Sequence, residues 1–175
     1  KENKDLCFSS LAKVLKDYHL CQKIEGEESK DFCLGDLAEI FVNENPKCEG
    51  IQDPTKKDLC LMGRALIDVS LCEKIKDSSI KNLCFKYYAF FFKNKDLCEK
   101  ILDQRWKDRC LKGVATAFGV EDISLCEKIS DSKIKDECIS TIAEIKMDKS
   151  LCGKIKDKEI KEKCLKLTSL SGKEE

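Results

Sequence analysis

Histidine is almost missing from this chain. His19 is the only one, so any Ser-His-Asp set would have to be built on it, and the Cys2His2 kind of metal site has too few histidines. An excess of one charge is missing too. Lysine plus arginine and aspartate plus glutamate both number 33, so the basic excess of a nucleic-acid-binding surface is absent. No apolar run approaches the roughly 20 residues that span a bilayer; the longest candidate, YYAFFF from Tyr87 to Phe92, is far too short. There is no glycine-rich phosphate loop, no C-x-x-C and no C-x-x-C-H haem attachment. These absences exclude the familiar catalytic, metal and cofactor signatures. The expectation is a non-enzyme with no cofactor, no nucleic-acid partner and no membrane span.

Glutamine and arginine are scarce as well, at 3 each, against 30 lysines and 15 isoleucines. Lysine and glutamate enrichment with little glutamine is a thermophile-like composition. The chain begins at Lys1 without methionine, which would fit a cleaved secretory signal.

What the chain does contain is 13 cysteines. In a secreted or surface-exposed protein such a load reads as a disulfide framework; intracellular proteins of hyperthermophiles are the alternative setting. Twelve of the cysteines fall at one interval: Cys21 and Cys33, Cys48 and Cys60, Cys72 and Cys84, Cys98 and Cys110, Cys126 and Cys138, Cys152 and Cys164. The spacing from a second cysteine to the next first one wanders, whereas this one is constant.

The chain is a tandem repeat with a period of 24 to 28 residues, and all of the variation follows the second cysteine. A period in this range points to one supersecondary element per unit. The units are 21–47, 48–71, 72–97, 98–125, 126–151 and 152–175, preceded by a half unit, 1–20, in one repeat domain. Isoleucine stands three residues after the first cysteine in all six units, and aspartate two further on in five: Asp53, Asp77, Asp103, Asp131 and Asp157. Asp53 is followed by Pro54, the pattern of an N-cap and first helical position. A longer helix therefore starts there, with apolar residues at the second cysteine and one, four, five and seven positions beyond. Alanine holds the column five positions beyond the cysteine (Ala12, Ala38, Ala65, Ala89, Ala115 and Ala143), which predicts close helix approach. A shorter helix surrounds the first cysteine, its start marked by Asn45-Pro46 and by Asp68, Asp122 and Asp148. The expected fold is all-α, an α-solenoid of disulfide-stapled helical hairpins, six units plus the half unit.

In an antiparallel hairpin the two cysteines of a unit lie five residues before and seven after the aspartate, at similar heights above the turn. A disulfide needs Cα atoms about 5.5–6 Å apart, so the expected bridges lie within units. Cys7 aligns with the second cysteine of a unit whose first half would precede Lys1. It is expected to be unpaired or intermolecular, with end-to-end association through this terminus or a Cys7–Cys7 bridge.

Two carboxylate and lysine columns run beside the second cysteine. Lys30, Lys57, Lys81, Lys107, Lys135 and Lys161 stand three before it; Asp31, Asp58, Asp108, Asp136 and Glu162 stand two before it. Side by side, they read as a stripe of exchanging surface ion pairs. Repetition argues against a catalytic carboxylate, which would be unique to one site. His19, near Cys21, suggests a cysteine–histidine couple, but the blander reading is a helix-end residue beside a disulfide. Tyr87 and Phe90 break the pattern, because their columns elsewhere hold no aromatic residue: Ser10, Asp36, Gly63, Gly113 and Thr141 in one, Lys13, Glu39, Leu66, Thr116 and Glu144 in the other. They either fill space left by those glycines or form a partner patch beside a core stripe of Phe85, Tyr88, Phe91 and Phe92. Trp106 replaces isoleucine found in three other units and reads as inter-repeat core.

Tandem helical hairpins with one cysteine pair per unit resemble, at the level of architecture, the cysteine-rich Sel1-like repeat proteins, relatives of tetratricopeptide arrays. The resemblance implies an extended surface that binds other proteins. The function expected is thus a non-catalytic interaction or assembly module, with a protein partner or self-association. The alternatives are a thiol–disulfide redox protein and a small-molecule carrier binding near Tyr87.

Overall fold

The computed structural model describes residues 2–117 and 119–170, with side chains described from 3 to 169 except 118; the end of the last repeat, 171–175, lies outside the described residues. Every described element is helical. The helices are α1 (Glu2–Leu15), α2 (Tyr18–Gln22), α3 (Glu27–Glu44), α4 (Pro54–Arg64), α5 (Leu71–Lys74), α6 (Ser78–Phe91), α7 (Gln104–Ala115), α8 (Ile123–Glu127), α9 (Ser132–Lys146) and α10 (Lys158–Leu170), with 3-10 turns at Lys95–Lys100 and Lys149–Lys154. The chain divides into two compact units, 1–84 and 85–175, and the boundary falls inside α6 between Cys84 and Phe85.

Long and short helices alternate, and the aspartates explain where each begins. The side chains of Asp53, Asp77, Asp103, Asp131 and Asp157 accept hydrogen bonds from backbone N–H groups in the first turn of α4, α6, α7, α9 and α10. Each cap satisfies a donor that the helix itself leaves unpaired, typically worth about 1 kcal/mol. A second set caps the short segments: Asp17, Asp68, Asn94, Asp122 and Asp148 accept from the backbone two residues on.

Between these caps the chain turns around one alanine carbonyl. The backbone N–H of Asp17, Asn94 and Asp148 reaches back to the oxygens of Ala12, Ala89 and Ala143, at 2.8–3.1 Å. The residue just before each, Lys16, Lys93 or Met147, has a left-handed backbone with φ near +52 to +53°. This is the Schellman geometry, which stops one helix and releases the chain into the next. In the longer link after α7, Asp122 N–H makes the same bond to Ala115, and Gly119 supplies a positive φ. The alanine column is buried from Ala12 to Ala143.

Six disulfides cross from the short segments to the long helices: Cys21–Cys33, Cys48–Cys60, Cys72–Cys84, Cys98–Cys110, Cys126–Cys138 and Cys152–Cys164, with Cα separations of 5.6–5.8 Å. All twelve cysteines are buried. The isoleucines three residues after the first cysteines are buried in every unit but the second, where Ile51 is half-buried, and Leu71, Leu97 and Leu125 join them.

One short helix is missing. The segment around Cys48 has no helical turn and runs as turns and bends. Its composition accounts for this. Pro46 lacks an N–H, and Gly50 and Cys48 both have positive φ, +72° and +57°. The helix expected to start at Asn45-Pro46 therefore does not form, although the cysteine still reaches Cys60.

Three of the five carboxylates in the column two residues before the second cysteine lie in the interior and not in a surface stripe. Asp58, Asp108 and Asp136 are buried. Asp58 accepts from the backbone N–H groups of Lys76 and Asp77 at 3.1 and 2.8 Å. Asp108 accepts from Ser130 and Asp131 at 3.0 and 2.8 Å and from the Gln104 amide at 2.8 Å. Asp136 holds Lys156 and Asp157 at 3.1 and 2.7 Å. Asp5 does the same for Glu25 and Gly26. α1, α4, α7 and α9 thus each grip the turn that leads into the next long helix. A buried carboxylate demands such donors, because desolvation without them is costly. Of the six lysines in the adjacent column, only Lys107 forms an ion pair among the described residues, with Glu99.

The neighbouring long helices approach closely within each unit. A Cβ built on Gly63 of α4 would lie 2.5 Å from the Ala38 carbonyl oxygen of α3, so that contact requires glycine. Replacing Asp108 by alanine leaves two backbone donors and an amide without their acceptor. It should destabilise the protein by roughly 2–4 kcal/mol, since an orphaned buried donor costs about 1–3 kcal/mol. A denaturant midpoint that moves by less than about 0.5 kcal/mol equivalent would contradict the gripping role.

Candidate interaction surface

Tyr87 and Phe90 both reach solvent, at 43% and 53% exposure. Tyr87 packs edge-on against Tyr88, with ring centroids 5.2 Å apart. Phe90 lies over Gly113, where an added Cβ would meet its ring at 3.8 Å. The space left by that glycine is therefore bordered by Phe90, and the ring remains half open to water. The core stripe expected in this helix is shorter than its sequence suggests. Phe85 and Tyr88 are buried, but Phe91 and Phe92 are exposed. Phe92 stacks on Tyr88 at 5.8 Å and meets Phe91 edge-on at 5.2 Å. The end of α6 and the residue after it thus present Tyr87, Phe90, Phe91 and Phe92 as one run of exposed aromatic rings.

Phe91 stands seven residues after its cysteine, and that column is apolar and exposed elsewhere too. Val14 and Ile67 in the N-terminal unit and Ile145 in the C-terminal unit are exposed; Ile40 is half-buried and Ala117 is buried. Helical period places the seventh position at the end of the core stripe. In the structure the alanine five positions beyond the cysteine is buried from Ala12 to Ala143, whereas the seventh position faces solvent at Val14, Ile67, Phe91 and Ile145. Ile67, the extreme case at 88% exposure, follows the end of α4 at Arg64. Single exposed hydrophobic residues are ordinary; a repeated column of them is not.

This apolar edge adjoins the carboxylates that cap the short segments. Ile67 precedes Asp68, and Met147, also exposed, precedes Asp148. The hydroxyls of Ser70 and Ser150 and then their backbone N–H groups hold Asp68 and Asp148 below the ordinary aspartate range. The Ser124 hydroxyl does the same for Asp122. Asp5 is lowered first by the backbone N–H of Gly26 and then by that of Glu25.

Other sequence candidates lie apart from any shared site. His19 is exposed and rests against Tyr18, with ring centroids 4.1 Å apart; its neighbour Cys21 is committed to a disulfide. Trp106 is half-buried and not core. Its ring lies between the Lys86 ammonium, at 5.7 Å, and the Arg109 guanidinium, at 4.9 Å, in cation–π contacts. Cys7 is exposed and free. A concavity of about 430 Å³ opens beside α7, α9 and α10, lined by Lys112, Lys133, Glu137, Glu144, Asp157 and Lys163 among others. Its charges are mixed and partly consumed: Lys112 pairs with Glu137 at 2.7 Å, and Ser140 donates to Glu144 at 2.9 Å. Among the described residues no group of three or more histidines, cysteines or carboxylates could hold a metal ion, and no helix is long and apolar enough to cross a membrane.

Comparison with family models, curated proteins and solved structures returned no match for this chain. The likeness to cysteine-rich helical-repeat proteins therefore rests on architecture alone.

The capping carboxylates set an expectation for acid. Their folded pKa values are depressed, so they contribute stability that is present above the unfolded value, about 3.9, and is lost as pH falls through the folded value. With the disulfides intact, the melting temperature should be flat from neutral pH to roughly 4.5 and fall below that. A melting temperature that rises on acidification from pH 5 to pH 3 would contradict the assignment.

Proposed function

We propose that the chain is a solenoid of disulfide-stapled units that acts as a non-catalytic protein-interaction or assembly module, secreted or exposed at the cell surface. The observation that carries this reading is the exposed aromatic run on α6, Tyr87 to Phe92, set on a scaffold whose repeated polar groups are spent on structure. Caps, buried aspartates and disulfides account for the recurring aspartates and for twelve cysteines, so what is left over is apolar surface. Interfaces draw their energy from such aromatic anchors. The solenoid reading is supported by long helices that pack on their neighbours in chain order, α1 on α3, α3 on α4, α7 on α9 and α9 on α10. The secreted location is supported by the number of disulfides.

The thiol–disulfide alternative has less support. Redox cysteines need an accessible, electropositive setting, whereas all twelve bridged cysteines are buried and equivalent. A thiol count should therefore give one reactive thiol per chain, Cys7, both with and without denaturant. The patch is tested by Tyr87→Ser combined with Phe90→Glu. Because both side chains are half exposed, the melting temperature should change by no more than a few degrees. Binding to partners retained by the wild-type chain from the extracellular fraction of its source should fall at least tenfold, as loss of two anchors implies. Undiminished retention, or a collapse in melting temperature, would overturn the patch assignment.

A further inference from the structure

The chain's formal net charge is zero, but its charges are not evenly spread. α3 is the one long helix with an excess of acid. It carries Glu27, Glu28, Asp31, Asp36, Glu39 and Glu44 against Lys30 alone, whereas every other long helix has at least as many basic residues as acidic ones. α1 answers part of this charge: Lys13 pairs with Asp36 at 3.1 Å, and Lys16 pairs with Glu44. Glu28 and Glu39 are exposed and enter no ion pair among the described residues. On the same side of α3, one turn after Glu28 and two turns before Glu39, stands Phe32. Its ring is 69% exposed, although Leu59 and Leu83 in the same column are buried.

The aromatic end of α6 has the opposite sign. From Ser78 to Lys95 there is no acidic residue, and there are four lysines, Lys81, Lys86, Lys93 and Lys95. Asp96 is the first acid after them. Lys86 stands one turn before Phe90 and Lys93 one turn after it, and residues 90–96 are all exposed. Each surface thus sets exposed aromatic area between charges of one sign.

We propose that the aromatic end of α6 is a docking site for the acidic face of α3 of a second copy of this chain. Phe32 seats against Tyr87, Phe90 and Phe91, and Glu28 and Glu39 face Lys86 and Lys93. The inference rests on the interaction and assembly reading and names the partner for that same surface. The spacings agree: Glu28 to Glu39 covers about 16 Å of helix and Lys86 to Lys93 about 10 Å, and flexible lysine stems close the difference. Both faces are exposed in the single chain, so each is open to another copy. A second copy also brings the aromatic anchor and the carboxylates on one helix, which is the combination the lysine-flanked rings require. Each copy gives one face and takes up the other. Such a heterologous contact closes into a ring or continues as a filament.

The test is sedimentation velocity of the full chain, with Cys7 alkylated in every sample so that no thiol bridge contributes. At about 0.1 M salt the wild-type chain should sediment faster as its concentration rises. At about 1 M salt, where the Debye length falls from about 10 Å to about 3 Å, its association constant should drop roughly tenfold or more. Two charge reversals read the two faces separately: Glu28→Lys with Glu39→Lys, and Lys93→Glu with Lys95→Glu. All four positions are exposed, so the melting temperature should stay within a few degrees of wild type. Either variant alone should associate roughly tenfold more weakly, and Phe32→Ser should do the same. An equal mixture of the two charge-reversed variants should recover wild-type association, because each reversed face then meets its opposite. A mixture that does not recover overturns the proposal. So does a wild-type chain that stays monomeric, including one that floats instead with phosphatidylserine vesicles. A monomeric wild type leaves the aromatic run open to a different protein, which Tyr87→Ser with Phe90→Glu reads against the extracellular fraction, so the two readings fail separately.

Discussion

A short helix cannot stand alone, and the rest of this molecule follows from that. The segments that precede each long helix are four to six residues long where they are helical at all. One turn costs more backbone entropy than its hydrogen bonds return. Each segment buries its cysteine and at most a leucine and an isoleucine beside it, too little apolar surface to offset that cost. The disulfide to the long helix supplies the difference. It closes a loop of about 13 residues, worth roughly 3 kcal/mol in the chain-entropy model. Around Cys48 the consequence is plain: the helix is gone, yet the bridged geometry is the same as in its neighbours.

The aspartates extend that local constraint to the next repeat. A disulfide holds a unit to itself, whereas Asp5, Asp58, Asp108 and Asp136 reach into the turn of the unit that follows. The turn they grip carries the aspartate that caps the next long helix, so one carboxylate positions another. Lysine on the same helices stays at the surface, where it keeps the net charge near zero against 33 acidic groups.

Much of the fold was legible in the sequence, for identifiable reasons. The all-helical character and the disulfide-rich framework showed in the regular columns. The capping role of Asp77 and its equivalents was legible because Asp-Pro at position 53 leaves one local conformation open. The Cys48 segment was not, since the helix there fails through Pro46 and Gly50 despite an intact cysteine interval. Nor was the depth of the Asp58 column. A carboxylate next to lysine looks like surface in one dimension, and only the neighbouring turn, some 18 residues away, reveals its donors. The candidate surface was half legible. Tyr87 and Phe90 stood out against small residues in their columns, but Phe91 and Phe92 were assigned to the core by helical period alone. Where a helix outruns its cover, period no longer predicts burial. Trp106 misled because its column is not uniformly core: Ile80 is buried, but Ile134 and Ile160 are half-buried like the indole, which stays at the rim between Lys86 and Arg109.

The disulfides, not the apolar core alone, hold the short segments against the long helices. The decisive measurement is far-ultraviolet circular dichroism on heating, of the oxidised protein and of the fully reduced and alkylated protein. The reduced chain should lose a large part of its helix signal at room temperature and melt broadly, tens of degrees lower, as removal of several bridges of a few kcal/mol each requires. A reduced chain with the same helicity and the same sharp transition as the oxidised one would contradict it.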